Sequence, residues 1–83
     1  MIENKKMFVK QFEALLKSTA MYSDVKRLDY YKDDKEESIY VTYESNSQKR
    51  INVHMDSCGA MMSDFFKQIN IDDWVIPIKK FED

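Results

Sequence analysis

The chain contains few of the residues that supply covalent chemistry or special backbone geometry. Its 83 residues include one cysteine, one glycine, one proline and one histidine. A single cysteine cannot form an internal disulfide, so no cysteine framework staples the fold. A single glycine excludes the glycine-rich loops that bind phosphate groups. We therefore expect an ordinary hydrophobic core, and a reducing, cytoplasmic setting fits this cysteine usage best.

Long apolar runs and an excess of basic residues are also absent. No segment approaches the roughly 18 apolar residues that span a bilayer. The opening residues, MIENKKMFVK, lack the continuous apolar stretch of a secretory signal. We therefore expect no membrane association. The formal net charge of −2 also argues against a dedicated nucleic-acid binder, which usually has a strong basic excess.

The composition is that of one small folded domain covering residues 1–83. Hydrophobic residues make up 43% of the chain and charged residues 34%, which is typical of globular rather than disordered proteins. Lysine, asparagine, isoleucine, tyrosine and aspartate are used generously. This bias suits an AT-rich bacterial genome, a phage or another mobile element.

Hydrophobic periodicity predicts two helices. The first covers residues 4–22, and its apolar side chains recur at spacings of three and four, which places them on one face. These residues are Phe8, Phe12, Leu15, Leu16 and Thr19. The second helix, SCGAMMSDFFKQI, covers residues 57–69, with Ser57 or Asp56 as its N-cap.

Three strands are predicted between the helices, at residues 25–32, 38–44 and 49–55. The charged segment KDDKEE and the loop SNSQ separate them. Such short connections favour an antiparallel meander, and both helices need an apolar sheet face to cover. We therefore predict an α+β two-layer sandwich with both helices on the side of Ile39, Val41, Ile51 and Val53. Trp74, Ile76 and Ile78 alternate, which favours either a short C-terminal edge strand within residues 74–81 or a tail that packs Trp74 over the core without strand pairing.

His54 and Cys58 are the residues that suggest nucleophilic catalysis. A thiol–imidazole pair needs its two side chains within hydrogen-bond reach. Strand alternation directs His54 away from the core, whereas Cys58 begins the second helix on its core side. One histidine and one cysteine also supply too few of the four ligands that zinc prefers. We therefore predict no enzyme activity, no metal site and no cofactor, with a thiol-dependent enzyme using Cys58 as the least favoured alternative.

The outward sheet face is the predicted interaction surface. By alternation it carries five polar or aromatic side chains: Tyr40, Thr42, Arg50, Asn52 and His54. Tyrosine is enriched at protein interfaces because it combines a large contact area with a polar tip. The leading hypothesis is a small non-enzymatic interaction protein that docks on a protein partner, or on a second copy of itself. Docking would use this face or the acidic hairpin DYYKDDKEE.

Two alternatives remain open at this point. The same face could bind nucleic acid, with phosphate contacts from Lys26, Arg27, Lys49 and Arg50. Size, acidity and element order are also similar to those of small phage inhibitors, including some anti-CRISPR proteins.

The helix, three strands, helix order resembles that of double-stranded-RNA-binding domains. Their second helix begins with phosphate-binding lysines, however, whereas DSCGAMMSDFF has no lysine before Lys67, so their function is not carried over.

Overall fold

The element order found in the structure is the one that the periodicity predicts. The computed structural model describes residues 2–53, 57–70 and 74–75. Two helices flank three strands in an α+β arrangement. These elements are α1 (Ile2–Lys17), β1 (Val25–Lys32), β2 (Glu37–Tyr43), β3 (Gln48–Asn52) and α2 (Cys58–Gln68).

The three strands form an antiparallel sheet in the order β1-β2-β3. Leu28 lies opposite Val41, and Ile39 lies opposite Ile51, so apolar residues meet across the sheet on one face. A register shift between Val25 and Arg27 marks a bulge near the start of β1.

The core lies between this sheet face and the two helices. Val9, Phe12 and Leu16 of α1 and Met61 and Phe65 of α2 are buried against the strand residues. The rings of Phe12 and Phe65 meet edge to face, with centroids 5.2 Å apart, which is a favourable aromatic geometry. The prediction that both helices pack on the side of Ile39 and its apolar neighbours is confirmed.

The buried stripe of α1 is narrower than predicted. Leu15, assigned to the core from its spacing, is 62% exposed, whereas Val9 is fully buried. Successive helical residues point about 100° apart, so a stripe centred on Val9 and Leu16 directs Leu15 outward. Thr19, also assigned to this face, is exposed. The expected core positions of Leu15 and Thr19 are therefore wrong.

The first helix also ends earlier than predicted, at Lys17 rather than near residue 22. Two hydroxyl residues follow, and their side chains donate to carbonyls of the last turn. Ser18 Oγ donates to Leu15 at 2.6 Å, and Thr19 Oγ1 donates to Leu16 at 2.8 Å. Both backbone N–H groups bond three residues back to the same carbonyls. These hydrogen bonds satisfy backbone carbonyls of the last helical turn, so the helix ends here.

The second helix begins where the capping pattern predicts. Ser57 has an extended backbone, and its side chain accepts a hydrogen bond from the Ala60 N–H. Trp74 forms one isolated bridge with Lys49. The rest of the C-terminal strand proposed for residues 74–81 lies outside the described residues, except Val75, whose N–H donates to the Gln48 carbonyl.

Candidate interaction surface

The sheet face opposite the helices carries the predicted residues, but it is not the open surface that we expected. Tyr40 pairs with Arg50, and Thr42 pairs with Gln48. Tyr40 is only 1% exposed and Thr42 only 8%. The expected exposure of these two residues is therefore wrong. Arg50 and Asn52 are half-buried, and His54 lies outside the described residues.

A network of internal hydrogen bonds engages the polar groups of this face. The Tyr40 hydroxyl donates to the Glu36 carboxylate at 3.0 Å, and the Ser38 hydroxyl donates to it at 2.8 Å. Gln48 Nε2 donates to Thr42 Oγ1 at 3.0 Å. Buried polar groups with partners of this kind stabilise a fold. The tyrosine that suggested a docking face is thus part of the protein interior.

The acidic hairpin is also largely engaged within the chain. Asp33 Oδ1 accepts hydrogen bonds from the backbone N–H groups of Lys35 and Glu36, each at 2.8 Å. Glu36 accepts the hydroxyls described above, and Glu37 is buried. Asp29, at the start of the segment, bonds to Arg27 and Lys10. Four of the five carboxylates in DYYKDDKEE therefore have internal partners, and the fifth, Asp34, is exposed at the turn. Asp29 and Glu37 are buried beside cations, so they add little to an acidic docking surface, and the exposed acidic part of the hairpin is confined to its tip.

Glu37 anchors the start of α1 to the sheet. Its carboxylate accepts hydrogen bonds from the Lys5 ammonium group and the Tyr30 hydroxyl. Burial, together with this hydrogen bond to Glu37, raises the pKa of Tyr30 above that of an ordinary phenol. Removing either donor would leave a buried carboxylate without compensation, which is strongly destabilising. Cys58 packs half-buried against the same core, in agreement with its interpretation as a small core residue, and its predicted separation from His54 stays untested.

The four basic residues proposed for nucleic-acid contact do not form one exposed patch. Arg27 makes two hydrogen bonds to the Asp29 carboxylate, at 2.8 and 3.0 Å. Lys49 lies opposite Val41 on the helix-covered face and is 7% exposed. Its ammonium group donates to the Ile69 carbonyl at 2.7 Å and lies 4.9 Å from the centre of the Trp74 ring. Lys26 is exposed. Because the other residues are paired or buried, the four side chains do not offer phosphate groups one continuous basic surface.

Side chains from the helices cover both edges of the sheet. At β1, the Leu28 N–H donates to Glu13 Oε1 and the Leu28 carbonyl accepts from Lys10 Nζ, each at 2.7 Å. At β3, the Gln68 side-chain amide accepts from the Asn52 N–H and donates to its carbonyl, at 3.3 and 2.8 Å. These backbone groups would otherwise be free to pair with another strand. Strand addition at these positions is therefore blocked.

A shallow cleft of about 350 Å³ lies where the end of α2 meets the β2–β3 turn. Tyr43 and Trp74 form one wall, with ring centroids 5.6 Å apart. Burial and the nearby Asp24 carboxylate raise the pKa of the Tyr43 hydroxyl. Lys49 already supplies a cation to the Trp74 ring from within the chain, so this aromatic contact is satisfied internally.

The exposed apolar side chains lie mainly on the helices. Met7 and Leu15 of α1 are each 62% exposed, and Phe66 of α2 is 44% exposed. Phe66 lies beside α1, with its ring centroid 5.7 Å from that of Phe12, and Phe8 stacks on Phe12 with ring centroids 6.4 Å apart. We call Met7, Phe8, Leu15 and Phe66 the helical face. The sequence prediction missed this surface because the apolar spacing of α1 was assigned entirely to the core.

The part of the chain that the structure describes has neither a metal-ligand cluster nor a membrane-spanning helix. No group of three histidine, cysteine, aspartate or glutamate side chains is placed there to hold a metal ion. Neither α1 nor α2, as described, has the length and apolar content of a membrane span. The chain matches no protein-family model, and no curated protein or solved structure is significantly similar to it.

Proposed function

We propose that this chain is a small non-enzymatic interaction protein that docks on a protein partner through its helical face. The observation that carries this proposal is the exposure of Met7 and Leu15 of α1 at 62%, together with that of Phe66 at 44%, whose ring packs on Phe12 of the same helix. Exposed apolar residues that are grouped, rather than scattered, are typical of interaction sites.

The energetics favour a docking role over a structural one. Fully burying a leucine, methionine or phenylalanine side chain stabilises a complex by about 1.5–3 kcal/mol. In the isolated chain these side chains gain only a fraction of that amount. Met7 and Leu15 are not needed to complete the core, which Val9, Phe12 and Leu16 fill from the same helix. A partner with an apolar surface supplies the missing burial.

The alternative surfaces have less support. Tyr40 is buried, four of the five hairpin carboxylates have internal partners, and Lys49 lies on the opposite sheet face from Arg27 and Arg50. An anti-defence inhibitor would be one instance of the proposed role, because such proteins also act by docking on a target protein.

The proposal is tested by capture experiments with matched variants. A tagged native chain is compared with Leu15→Glu, Phe66→Glu and the control Met21→Glu, which places the same charge on a residue that is 77% exposed outside the helical face. Captured proteins, including a co-expressed untagged copy, are identified from bacterial lysate with and without nuclease. Each is then purified and its binding to all four chains is measured.

The expected result is direct binding by the native and Met21→Glu chains, with at least a tenfold loss for Leu15→Glu and Phe66→Glu. Circular dichroism must show that all variants remain folded. Binding that is unaffected by the helical-face variants would overturn the proposal. Capture that disappears with nuclease and falls steeply with salt would favour the nucleic-acid alternative instead.

A further inference from the structure

The outward residues of α1, together with Ser18 just past its end, form a strip that is symmetric about Gln11. Positions 4, 8, 11, 15 and 18 alternate in spacings of four and three, the spacing of a helix-pairing seam, and positions 7 and 14 lie beside it. Residues equally far from Gln11 are alike in polarity. The pairs are Asn4 with Ser18, Met7 with Leu15, and Phe8 with Ala14.

This symmetry has a direct consequence for two copies packed antiparallel. A two-fold axis through Gln11 brings residues equally far from it into contact across the pair. Met7 then meets Leu15 of the other copy, and the large Phe8 ring meets the small Ala14. The two Gln11 amides face each other, and each carries both a donor and an acceptor.

Exposure and charge are both compatible with this packing. Six members of the strip are exposed, and Phe8 is half-buried. None carries a charge, whereas Lys10, Glu13 and Lys17 point toward β1, where each bonds to its backbone. Pairing along the strip therefore buries no charged side chain, which would otherwise oppose association.

We infer that the part of the helical face on α1 binds a second copy of this chain, with α1 packed antiparallel on α1 about an axis through Gln11. This inference rests on the proposed function. The strip is about 21 Å long, and a helix with its side chains is about 10 Å wide. Each copy thus buries less than the roughly 800 Å² of a standard interface. Because interfaces of standard size range from micromolar to picomolar affinity, we expect this smaller one to give a weak dimer, with a dissociation constant of about 1 μM or higher.

Sedimentation equilibrium between about 5 and 500 μM tests the association. The native and Met21→Glu chains are expected to shift from monomer to dimer across this range. Leu15→Glu is expected to remain monomeric, with its dissociation constant raised at least tenfold, because it places a carboxylate opposite Met7. A dimer that forms equally well with Leu15→Glu would overturn the inference.

Cysteine cross-linking tests the antiparallel register. In a Cys58→Ser background, Gln11→Cys is expected to form a covalent dimer on mild oxidation, whereas Lys6→Cys, on the flank beside β1, is not. Met7→Cys mixed with Leu15→Cys should give a mixed dimer, while each alone should not, because the like residues lie far apart along the pair. Rapid linking of Met7→Cys to itself would show a parallel arrangement and overturn the inference.

The inference and the proposed function can fail separately. A chain that stays monomeric at 500 μM, but binds a different protein and loses that binding in Leu15→Glu, would exclude a second copy as the partner. The proposed docking function of the helical face would still hold. A monomer that also shows no such binding would overturn both.

Discussion

Tyr40 offers the sharpest test of the structure, because the sequence pattern and the fold predict opposite results. If Tyr40 lay on an open sheet face, Tyr40→Ala would leave stability nearly unchanged. In the structure the side chain is 1% exposed and packs edge-on to Tyr31, with ring centroids 6.1 Å apart. Removing it therefore leaves a cavity and exposes the surrounding strand residues.

The magnitude follows from the buried area. A buried aromatic side chain covers about 150–250 Å², which at about 25 cal/mol per Å² corresponds to roughly 4–6 kcal/mol. Measured losses for deleting a buried aromatic ring are about 3–5 kcal/mol, so we expect about 4 kcal/mol. Tyr40→Phe keeps the ring and loses the hydroxyl bonds to half-buried Glu36, at a cost of about 1 kcal/mol.

Urea unfolding monitored by circular dichroism separates these outcomes. Small domains have a total stability at the low end of about 5–15 kcal/mol, so Tyr40→Ala is expected to be close to unfolded at 25 °C without urea. Tyr40→Phe should remain folded, with its midpoint lowered by roughly 1 M. Met21→Ala, which trims an exposed side chain, is the control and should change stability by less than about 0.5 kcal/mol. A Tyr40→Ala chain within about 1 kcal/mol of native stability would refute the burial of this residue.

Three further predictions concern Tyr30, Gln68 and Gly59. Because the pKa of Tyr30 is raised in the folded state, the folded chain keeps the phenol proton at a pH where the unfolded chain has lost it, so the free energy of unfolding falls as pH rises above about 10. Urea titrations should therefore show that the stability difference between the native and Tyr30→Phe chains narrows between pH 8 and pH 11. A constant difference would contradict this prediction. Gln68→Ala removes the side-chain amide that covers the edge of β3. Hydrogen exchange at the Asn52 backbone N–H should therefore accelerate at least tenfold, while exchange at the Leu28 N–H should not change. Unchanged exchange at Asn52 would contradict the role of Gln68 in covering this edge. Gly59 lies in the first turn of α2, and an added Cβ meets no atom within 4 Å. Gly59→Ala should therefore raise the free energy of unfolding, measured in urea, by about 0.5–1 kcal/mol. A loss of stability would show that the added methyl group does not fit at this position.

The exposed helical face shows where prediction from the sequence reached its limit. The spacing of apolar residues in α1 indicated a helix, but its apolar stripe is wider than one buried face. Val9 and Leu15 are both apolar and both belong to that helix. Only the angle at which the helix meets the sheet decides that Val9 is buried and Leu15 is 62% exposed.

The opposite sheet face shows the same limit for polar residues. Alternation correctly placed Tyr40 and Thr42 away from the helices, but alternation describes direction and not exposure. Their burial depends on partners that are distant in the chain or brought together by strand register, such as Gln48 beside Thr42. Lys49 is a further case, since the end of α2 supplies the carbonyl that allows its ammonium group to be buried.

Local patterns therefore determined the kind, order and approximate limits of the helices and strands, since each element depends on residues a few positions apart. The packing of those elements decided which apolar residues complete the core, which remain for a partner, and which polar groups find internal hydrogen bonds. These outcomes depend on contacts between residues far apart in the chain, and no local spacing specifies them.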